Sequence, residues 1–254
     1  MVKLTLKEQF TVPLEAEVLS PDLIAPLKNA EIKALPVYHG KRQRRLEDYF
    51  TIEGDGSDEI EIDGDLAKVK WIGRHMTRGR ILVNGNAGMH LGAYMKGGTI
   101  EVSGNGSDWI GAEMSGGFIR VRGNAGGQAG AAYRGSLPGM TDGTIVIGGL
   151  VRDFAGLQMK GGTIVLIGGA ELRTGAWMTR GTIVSLRPIP LLPTFAYAST
   201  YNPVFLRLYA RRLAALGVTI PVEEQGGAYE RYTGDASIPG KGELLVWKTW
   251  NGAA

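Results

Sequence analysis

The sequence predicts an all-β-dominated fold: a right-handed parallel β-helix of 19-residue glycine-rich coils, with a small N-terminal cap and a C-terminal arm plus helix. Three observations carry that expectation: a glycine excess confined to the middle of the chain, a fixed period, and a two-residue alternation of apolar side chains inside each period. Glycine makes up 39 of 254 residues, far above the roughly 7% of ordinary proteins. Of those 39, 29 lie between Ile60 and Gly181.

The period emerges when the segments are aligned. RILVNGNAGMHLGAYMKGG (80–98) is followed by TIEVSGNGSDWIGAEMSGG (99–117) and FIRVRGNAGGQAGAAYRGSLPGMTDG (118–143). Then come TIVIGGLVRDFAGLQMKGG (144–162) and TIVLIGGAELRTGAWMTRG (163–181). A degenerate copy (60–79) precedes them, and TIVSL (182–186) begins a truncated one. The terminal glycines at 79, 98, 117, 143, 162 and 181 are spaced 19, 19, 26, 19 and 19, so seven extra residues sit in one copy, around Arg134–Gly139. A fixed period near 20 with an insertion confined to one copy is the mark of a solenoid.

Each copy begins with strand periodicity. Ile100 and Val102 alternate with Glu101 and Ser103, placing apolar side chains on one face. Gly104-Asn105-Gly106 then turns, because Gly and Asn tolerate positive φ. A second alternating run, Ile110, Ala112 and Met114, reads as a second strand. No copy has room for a helix, so stacked coils of strands and turns are expected, with right-handed crossovers. Two inward columns follow: Ile81, Ile100, Ile119, Ile145, Ile164, Ile183, and Met76, Met95, Met114, Tyr133, Met159, Met178. Methionine fills irregular gaps well, so the second column reads as core packing. Gly85-Asn-Ala-Gly88 and Gly104-Asn-Gly106 echo a dinucleotide fingerprint, but that motif requires a helix next, and here another alternating run follows.

The organisation expected is an N-terminal cap (1–53), the glycine-rich parallel β-helix (54–187), and a C-terminal arm, helix and tail (188–254). Ser20-Pro21-Asp22 reads as a helix start. Pro188, Pro190 and Pro193 enforce an extended arm. Asn202-Pro203 opens a helix expected to reach about Leu216 and stop at Gly217, with the apolar stripe Phe205, Leu208, Tyr209, Leu213 and Leu216. Outward positions of the late first strands (Val146, Val165, Ile167, Val184, Leu186) form an apolar patch that needs a cover. The arm residues Ile189, Leu191, Leu192 and Phe195, followed by the helix, are expected to fold back over it.

Composition narrows the chemistry. The chain has no cysteine, which excludes disulfides, thiolate nucleophiles and iron–sulfur ligation within it. Three histidines (His39, His75, His90) show no metal-ligand spacing. A formal charge of +3 is too weak to argue nucleic acid, no apolar run is long enough to span a membrane, and the N-terminus lacks a signal pattern, so cytoplasmic residence is expected. Seven carboxylates (Glu53, Asp55, Asp58, Glu59, Glu61, Asp63, Asp65) fit neither calcium-loop nor calcium-repeat spacing and read as a solvated acidic run. The basic run Lys41, Arg42, Arg44, Arg45 reads as a solvated loop able to meet an acidic partner. An outward column His75, Tyr94, Glu113, Ala132, Gln158, Trp177 suits a protein interface or plain surface. No Ser-His-Asp or paired-carboxylate set is recognisable, so no catalytic residue and no metal ligand is expected in this chain, and cofactor-binding residues stay unassigned.

The glycine repeats resemble the β-helical domain at the C-terminus of the glutamate synthase large subunit. The whole chain more closely resembles the C-subunit family of formylmethanofuran dehydrogenase, through AEIKALPVYHGKRQRRLEDYFTIEG (30–54), the insertion GAAYRGSLPGM (130–140) and the tail PTFAYASTYNPVFLRLYARRL (193–213). The resemblance implies a non-catalytic scaffold in a hetero-oligomeric complex that reversibly reduces CO2 and attaches the formyl group to methanofuran. The tungsten or molybdenum pterin, iron–sulfur clusters and amidohydrolase metals would be held by partner subunits. A similar polypeptide occurs in the bacterial formyltransferase/hydrolase complex, which lacks the redox step. An independent enzyme or a glutamate-synthase-like domain is the remaining reading.

Overall fold

The computed structural model describes residues 1–222 and 226–249. It is strand-dominated and built around a twelve-stranded, mostly parallel sheet. Along this sheet the strands run Ala196–Tyr201, Gly227–Gly234, Gly242–Thr249, Arg180–Ser185, Lys160–Leu166, Asp142–Ile147, Ser115–Val121, Thr99–Val102, Arg80–Asn84, Glu59–Asp63, Val2–Leu6 and Phe50–Glu53. The pairing carries the sequence period directly. Ile81 pairs with Ile100, Ile100 with Ile119, Ile119 with Ile145, Ile145 with Ile164 and Ile164 with Ile183, always in parallel.

Both flanks extend this ladder. Val2 pairs with Ile60, which pairs with Ile81, and at the other end Ile183 pairs with Leu244. All of these inward side chains are buried. β-branched residues suit the column because they are stiff at χ1 and pack well on a pleated surface. Val2–Leu6 from the N-terminal segment and Gly242–Thr249 from the C-terminal segment therefore serve as rungs of the same stack.

A second parallel ladder runs beside the first: Leu66, Ala87, Gly106, Ala125 and Val151 bridge successively, and Val151 pairs with Ala170. Side-chain amides join the turns between the ladders. Asn86 Oδ1 accepts from Asn105 N, Asn105 Oδ1 from Asn124 N, and Asn124 Oδ1 from Leu150 N, each at 2.8 Å. Gly123 sits here with ordinary φ, but a Cβ on it would lie 2.8 Å from Gly104 O, which leaves no room for a side chain between rungs.

The methionine column is real with one correction. Met76, Met95, Met114, Met159 and Met178 are fully buried, and the sixth place belongs to Met140, also fully buried, not to Tyr133. The extra residues loop out between Ala132 and Met140, whose N–H donates to Gly130 O at 2.9 Å. Tyr133 is thereby moved out of the interior column and left half-buried.

The flanks close the stack. The short helix α1 (Pro21–Ile24) starts at Ser20, as its sequence predicts, and Asp22 accepts from Thr77 N at 2.9 Å. A second helix, α2 (Asn29–Lys33), goes beyond the single short helix expected of this segment. The basic run is not a loop: Arg42–Arg45 is an exposed edge strand paired with Pro36–His39. The acidic residues separate into individual contacts, Asp63 with Lys3 at 2.8 Å and Asp58 with Arg78 at 3.4 Å among them.

After the last repeat, Ile189, Leu191, Leu192 and Phe195 pack against the interior cluster, so the arm plugs the end of the core and does not lie on the outer face. The outer face is covered by α3 (Leu206–Ala215). Its Leu206 and Leu213 are buried with Val146, Val165, Val184 and Leu245, while Ile167 and Leu186 pack at the margin. Burial of each such leucine contributes about 1.5–3 kcal/mol. Thr163 Oγ1 also donates to Tyr209 Oη at 3.0 Å. Helical phase differs from the sequence expectation at three positions: Leu206 faces inward, whereas Leu208 and Phe205 are exposed. Among the described residues, no helix is long and apolar enough to cross a membrane.

Candidate functional site: an aromatic strip on the turn face

The alternating run read as a second strand is a different backbone with the same period. In the rung holding Trp109, Gly111 and Glu113, these three residues have φ of 67°, 60° and 54°. Down the stack, Trp71, His90, Trp109, Gln128, Phe154 and Arg173 form one left-handed column with φ of 56–68°. Four residues later, His75, Tyr94, Glu113, Gln158 and Trp177 form a second, at 54–59°. Such a conformation costs a non-glycine residue on the order of 1–2 kcal/mol.

The reward is pairing between rungs. Trp109 N donates forward to Gly127 O at 3.0 Å, Gly111 N donates back to Leu91 O at 2.8 Å, and Glu113 N donates forward to Ala131 O at 3.1 Å. Neighbouring rungs repeat the scheme: His90 N reaches Asp108 O, Gly92 N reaches Ile72 O and Tyr94 N reaches Ala112 O. Left-handed residues alternate with ordinary ones, so Ile110 and Ala112 point inward and are fully buried, as a strand would place them. Glycine is required at the middle position, where a Cβ on Gly111 would lie 2.6 Å from Ile145 Cδ1.

The outward side chains then stack. Rungs about 4.8 Å apart hold rings at nearly the separation that aromatic pairs favour. Trp71 and His90 lie 4.0 Å apart with an 11° interplanar angle, and His75 and Tyr94 lie 4.9 Å apart at 14°. Tyr133, delivered by the insertion, closes the group by stacking on Trp109 at 4.7 Å. Its hydroxyl is 2.8 Å from His90 Nδ1, and its N–H donates to Glu113 Oε1 at 2.9 Å. Arg74, paired with Glu17, lies over the Trp71 ring at 4.8 Å, a cation–π contact.

Burial sets the protonation of this group. Desolvation, aided by the positive charge of Lys70, lowers the His90 pKa to about 4. Desolvation also pushes the Tyr133 hydroxyl up. At neutral pH the pair is therefore uncharged, and the tyrosine hydroxyl can donate to Nδ1 of an Nε2–H imidazole.

Past Tyr133 the strip opens into a cleft of about 400 Å³ lined by Trp109, Gln128, Tyr133, Arg134, Phe154 and Trp177. A second cleft of about 320 Å³ shares Gln158 and Trp177 and adds Leu137, Lys160 and Ile238. Trp177 is 52% exposed and Leu137 69%. These groups can hold planar and apolar surfaces and present amide and cationic contacts at the rim; they do not form a nucleophile–base pair. Among the described residues no three His, Asp or Glu side chains converge. The histidines are engaged with rings instead, His39 against Phe10 and Tyr49 at 5.5 and 5.3 Å.

Comparison with known proteins places this geometry. The GXGXG motif family matches residues 64–190, half of the chain. A chain of the formyltransferase/hydrolase complex from Methylorubrum extorquens, whose crystal structure contains methylofuran, superposes with a TM-score of 0.81 at 31% identity, covering 96% of this chain and 98% of that one. The C subunit of molybdenum-containing formylmethanofuran dehydrogenase 1 from Methanothermobacter marburgensis is 42% identical over 88 residues. The C subunit of tungsten-containing formylmethanofuran dehydrogenase 2 from Methanothermobacter wolfeii is 43% identical over 94 residues. The chain belongs to the C-subunit family of formylmethanofuran dehydrogenase. The aligned stretch covers 34–35% of this chain, and it spans only 22% of the molybdenum relative and 35% of the tungsten one.

Of the column singled out from sequence, His75 and Tyr94 stack, Glu113 binds Tyr133, Gln158 and Trp177 line the clefts, and Ala132 is buried. Sequence reasoning missed the parallel column Trp71, His90, Trp109, Gln128, Phe154, Arg173. Its signal was present: each member stands two residues before the glycine that centres the run, at the same spacing as the column read from sequence.

Proposed function

We propose that this chain is a non-catalytic scaffold subunit of a one-carbon complex of the formylmethanofuran dehydrogenase type, and that its repeats wind as a right-handed parallel β-helix. In this reading residues 54–187 are the β-helix, 1–53 cap one end, and 188–254 supply the arm, helix and tail. The observation that carries it is the turn face: a rigid strip of stacked rings opening into a cleft edged by the exposed Trp177. Exposed aromatic anchors in preformed clefts are the usual energetic centres of protein interfaces.

Catalysis would belong to partner subunits, which hold the tungsten or molybdenum pterin, iron–sulfur clusters and amidohydrolase metals, with a methanofuran-type substrate handled by the complex. Neither nucleic acid nor membrane is a partner in this reading, and the location is cytoplasmic. A second reading, the formyltransferase/hydrolase complex without a redox step, is favoured by the likeness of nearly the whole chain to a chain of that complex. Purification of the native complex through a tag on this chain tests both. Molybdenum or tungsten in stoichiometric amount with formate-forming redox activity supports the dehydrogenase, and formyl transfer and hydrolysis without either metal supports the second. Turnover of a formyl amide by the isolated folded chain would overturn the scaffold reading.

A further inference from the structure

The side of α3 that faces away from the sheet is unlike an ordinary solvated helix surface. At 100° per residue, Leu206 and Leu213 fall together on the buried side, the opposite side carries Leu208 and Ala215 in one seam, and Val204 is exposed in the turn that leads into the helix. Val204 is 72% and Leu208 70% exposed. Val204 stands four residues before Leu208, in the turn that opens the helix, where Arg207 N donates to Val204 O and Leu208 N to Phe205 O, both at 3.1 Å. Arg207 and Arg211 flank the seam on one side and Arg212 on the other, all exposed, and the helix contains no carboxylate.

An apolar seam bordered by cations, on a helix already anchored by its other face, is a template for a complementary helix or extended segment. The chemistry of the occupant follows. Large exposed aliphatic side chains at i and i+4 call for apolar side chains at matching spacing, and three arginine forks call for carboxylates. A lipid surface fits less well. The seam offers only two large side chains to insert, and the broad apolar face that an interfacial helix would bury is already committed to Val146, Val165 and Val184.

We propose that the outer face of α3 docks an acidic amphipathic segment of a partner polypeptide, with apolar side chains over Val204, Leu208 and Ala215 and carboxylates against Arg207, Arg211 and Arg212. This surface is separate from the turn face, and the inference rests on the scaffold reading. The test uses the assembled complex purified through a tag on this chain. A photo-crosslinking residue in place of Leu208 should form an adduct with a partner subunit, mapping to a peptide rich in Asp or Glu. Reversal of the three arginines to glutamate, and separately Leu208→Gln, should each weaken retention of that subunit about tenfold, the reversal more strongly at low than at high salt. Each variant's melting curve, compared with the unmodified chain, identifies loss of folding. No adduct in an intact complex, or retention within twofold of wild type for both variants, overturns the proposal. So does sedimentation of the free chain with phosphatidylserine vesicles, or its retention on duplex DNA, abolished by the reversal. If the unmodified chain enters no complex at all, the scaffold reading fails and this inference falls with it; assembly that ignores the α3 variants sinks the inference alone.

Discussion

On the strand face, every residue of Thr99–Val102 meets its counterparts above and below in register. On the turn face, the residues that pair between rungs do so alternately, one peptide pointing forward and the next pointing back. Both faces turn side chains in and out with a period of two, and both satisfy the backbone between rungs. They differ in what they ask of a residue. The strand face accepts any side chain comfortable in extended backbone, whereas the turn face holds bulky residues in left-handed conformation and leaves its middle position to glycine alone. The lesson is that side-chain alternation reports orientation, not backbone conformation, and that stored strain can be spread over many rungs when each rung's hydrogen bonds depend on the next.

The sharpest way to break this comparison is at the middle glycine. Gly111→Val combines left-handed strain with a Cβ 2.6 Å from Ile145 Cδ1 and 2.9 Å from Met114 Sδ. A loss of roughly 3–5 kcal/mol is expected from strain and overpacking together. Thr99→Val on the strand face should change stability by less than about 0.5 kcal/mol. Urea denaturation of the two variants makes the comparison, and equal losses would mean that the faces do not differ as argued.

The next effect separates early from late rungs within one column. Glu101, Arg120, Val146, Val165 and Val184 pair successively, so one outward column passes from charged to apolar as α3 arrives. Glu101 is already a carboxylate and is paired with Arg80 at 2.7 Å. Val165→Asp, beneath the helix, should cost about 2–4 kcal/mol, because the new carboxylate is desolvated without a partner. Hydrogen exchange should report the local consequence: amides of Leu206–Ala215 lose protection while those of Thr99–Val102 keep theirs.

The third effect belongs to the turn face and depends on pH. His90 has its folded-state pKa lowered from 6.5 to about 4. The unfolded chain takes up a proton below pH 6.5 that the folded chain refuses until about pH 4. This contribution is therefore fully present above pH 6.5, is lost as pH falls from 6.5 to 4, and changes no further below that. The lost stability is roughly 1–3 kcal/mol, with partial exposure placing it under the full linkage value. Carboxylates titrate in the same range, so the measurement is the difference between wild type and His90→Gln in unfolding free energy at pH 7 and pH 4.5. A difference that does not change between the two pH values would show that His90 titrates normally.

How much of this is legible in the sequence follows from which interactions are periodic. The isoleucine ladder, the methionine column and the covering helix are readable because each repeats or compensates an apolar surface along the chain. The last rung, Gly242–Thr249, is not, since it arrives from outside the repeat and lacks its glycine signature. Tyr133 is misplaced by counting, which cannot say whether the inserted residues leave before or after it. The left-handed backbone is hidden for the reason that makes the turn face work: it copies the alternation of a strand. The aromatic strip is half visible, as one outward column of two, and the contacts of Tyr133 with Trp109 and His90 are not, because they require the insertion to bring its tyrosine across.

The smallest effect on stability is expected where the effect on assembly is large. Trp177 is 52% exposed and lines both clefts. Among the described residues it makes no aromatic pair of the kind that joins Trp109 to Tyr133, and its backbone N–H, which donates to Asp235 Oδ2 at 3.0 Å, survives truncation of the side chain. Trp177→Ala should therefore move the unfolding free energy by less than about 0.5 kcal/mol apart from relief or loss at its left-handed φ. If the clefts receive a partner's side chains, the same change removes an anchor and should weaken assembly by at least about tenfold, as truncation of a buried interface tryptophan does. Trp109→Ala offers the internal contrast. It breaks the stack on Tyr133 and should cost about 1–2 kcal/mol of stability besides disturbing the cleft. Titration of each variant against the remaining subunits, followed by analytical ultracentrifugation, separates the two effects. A Trp177→Ala chain that is as stable as wild type and assembles as tightly would make the turn face an inert surface, and its stacked rings a device for stability alone.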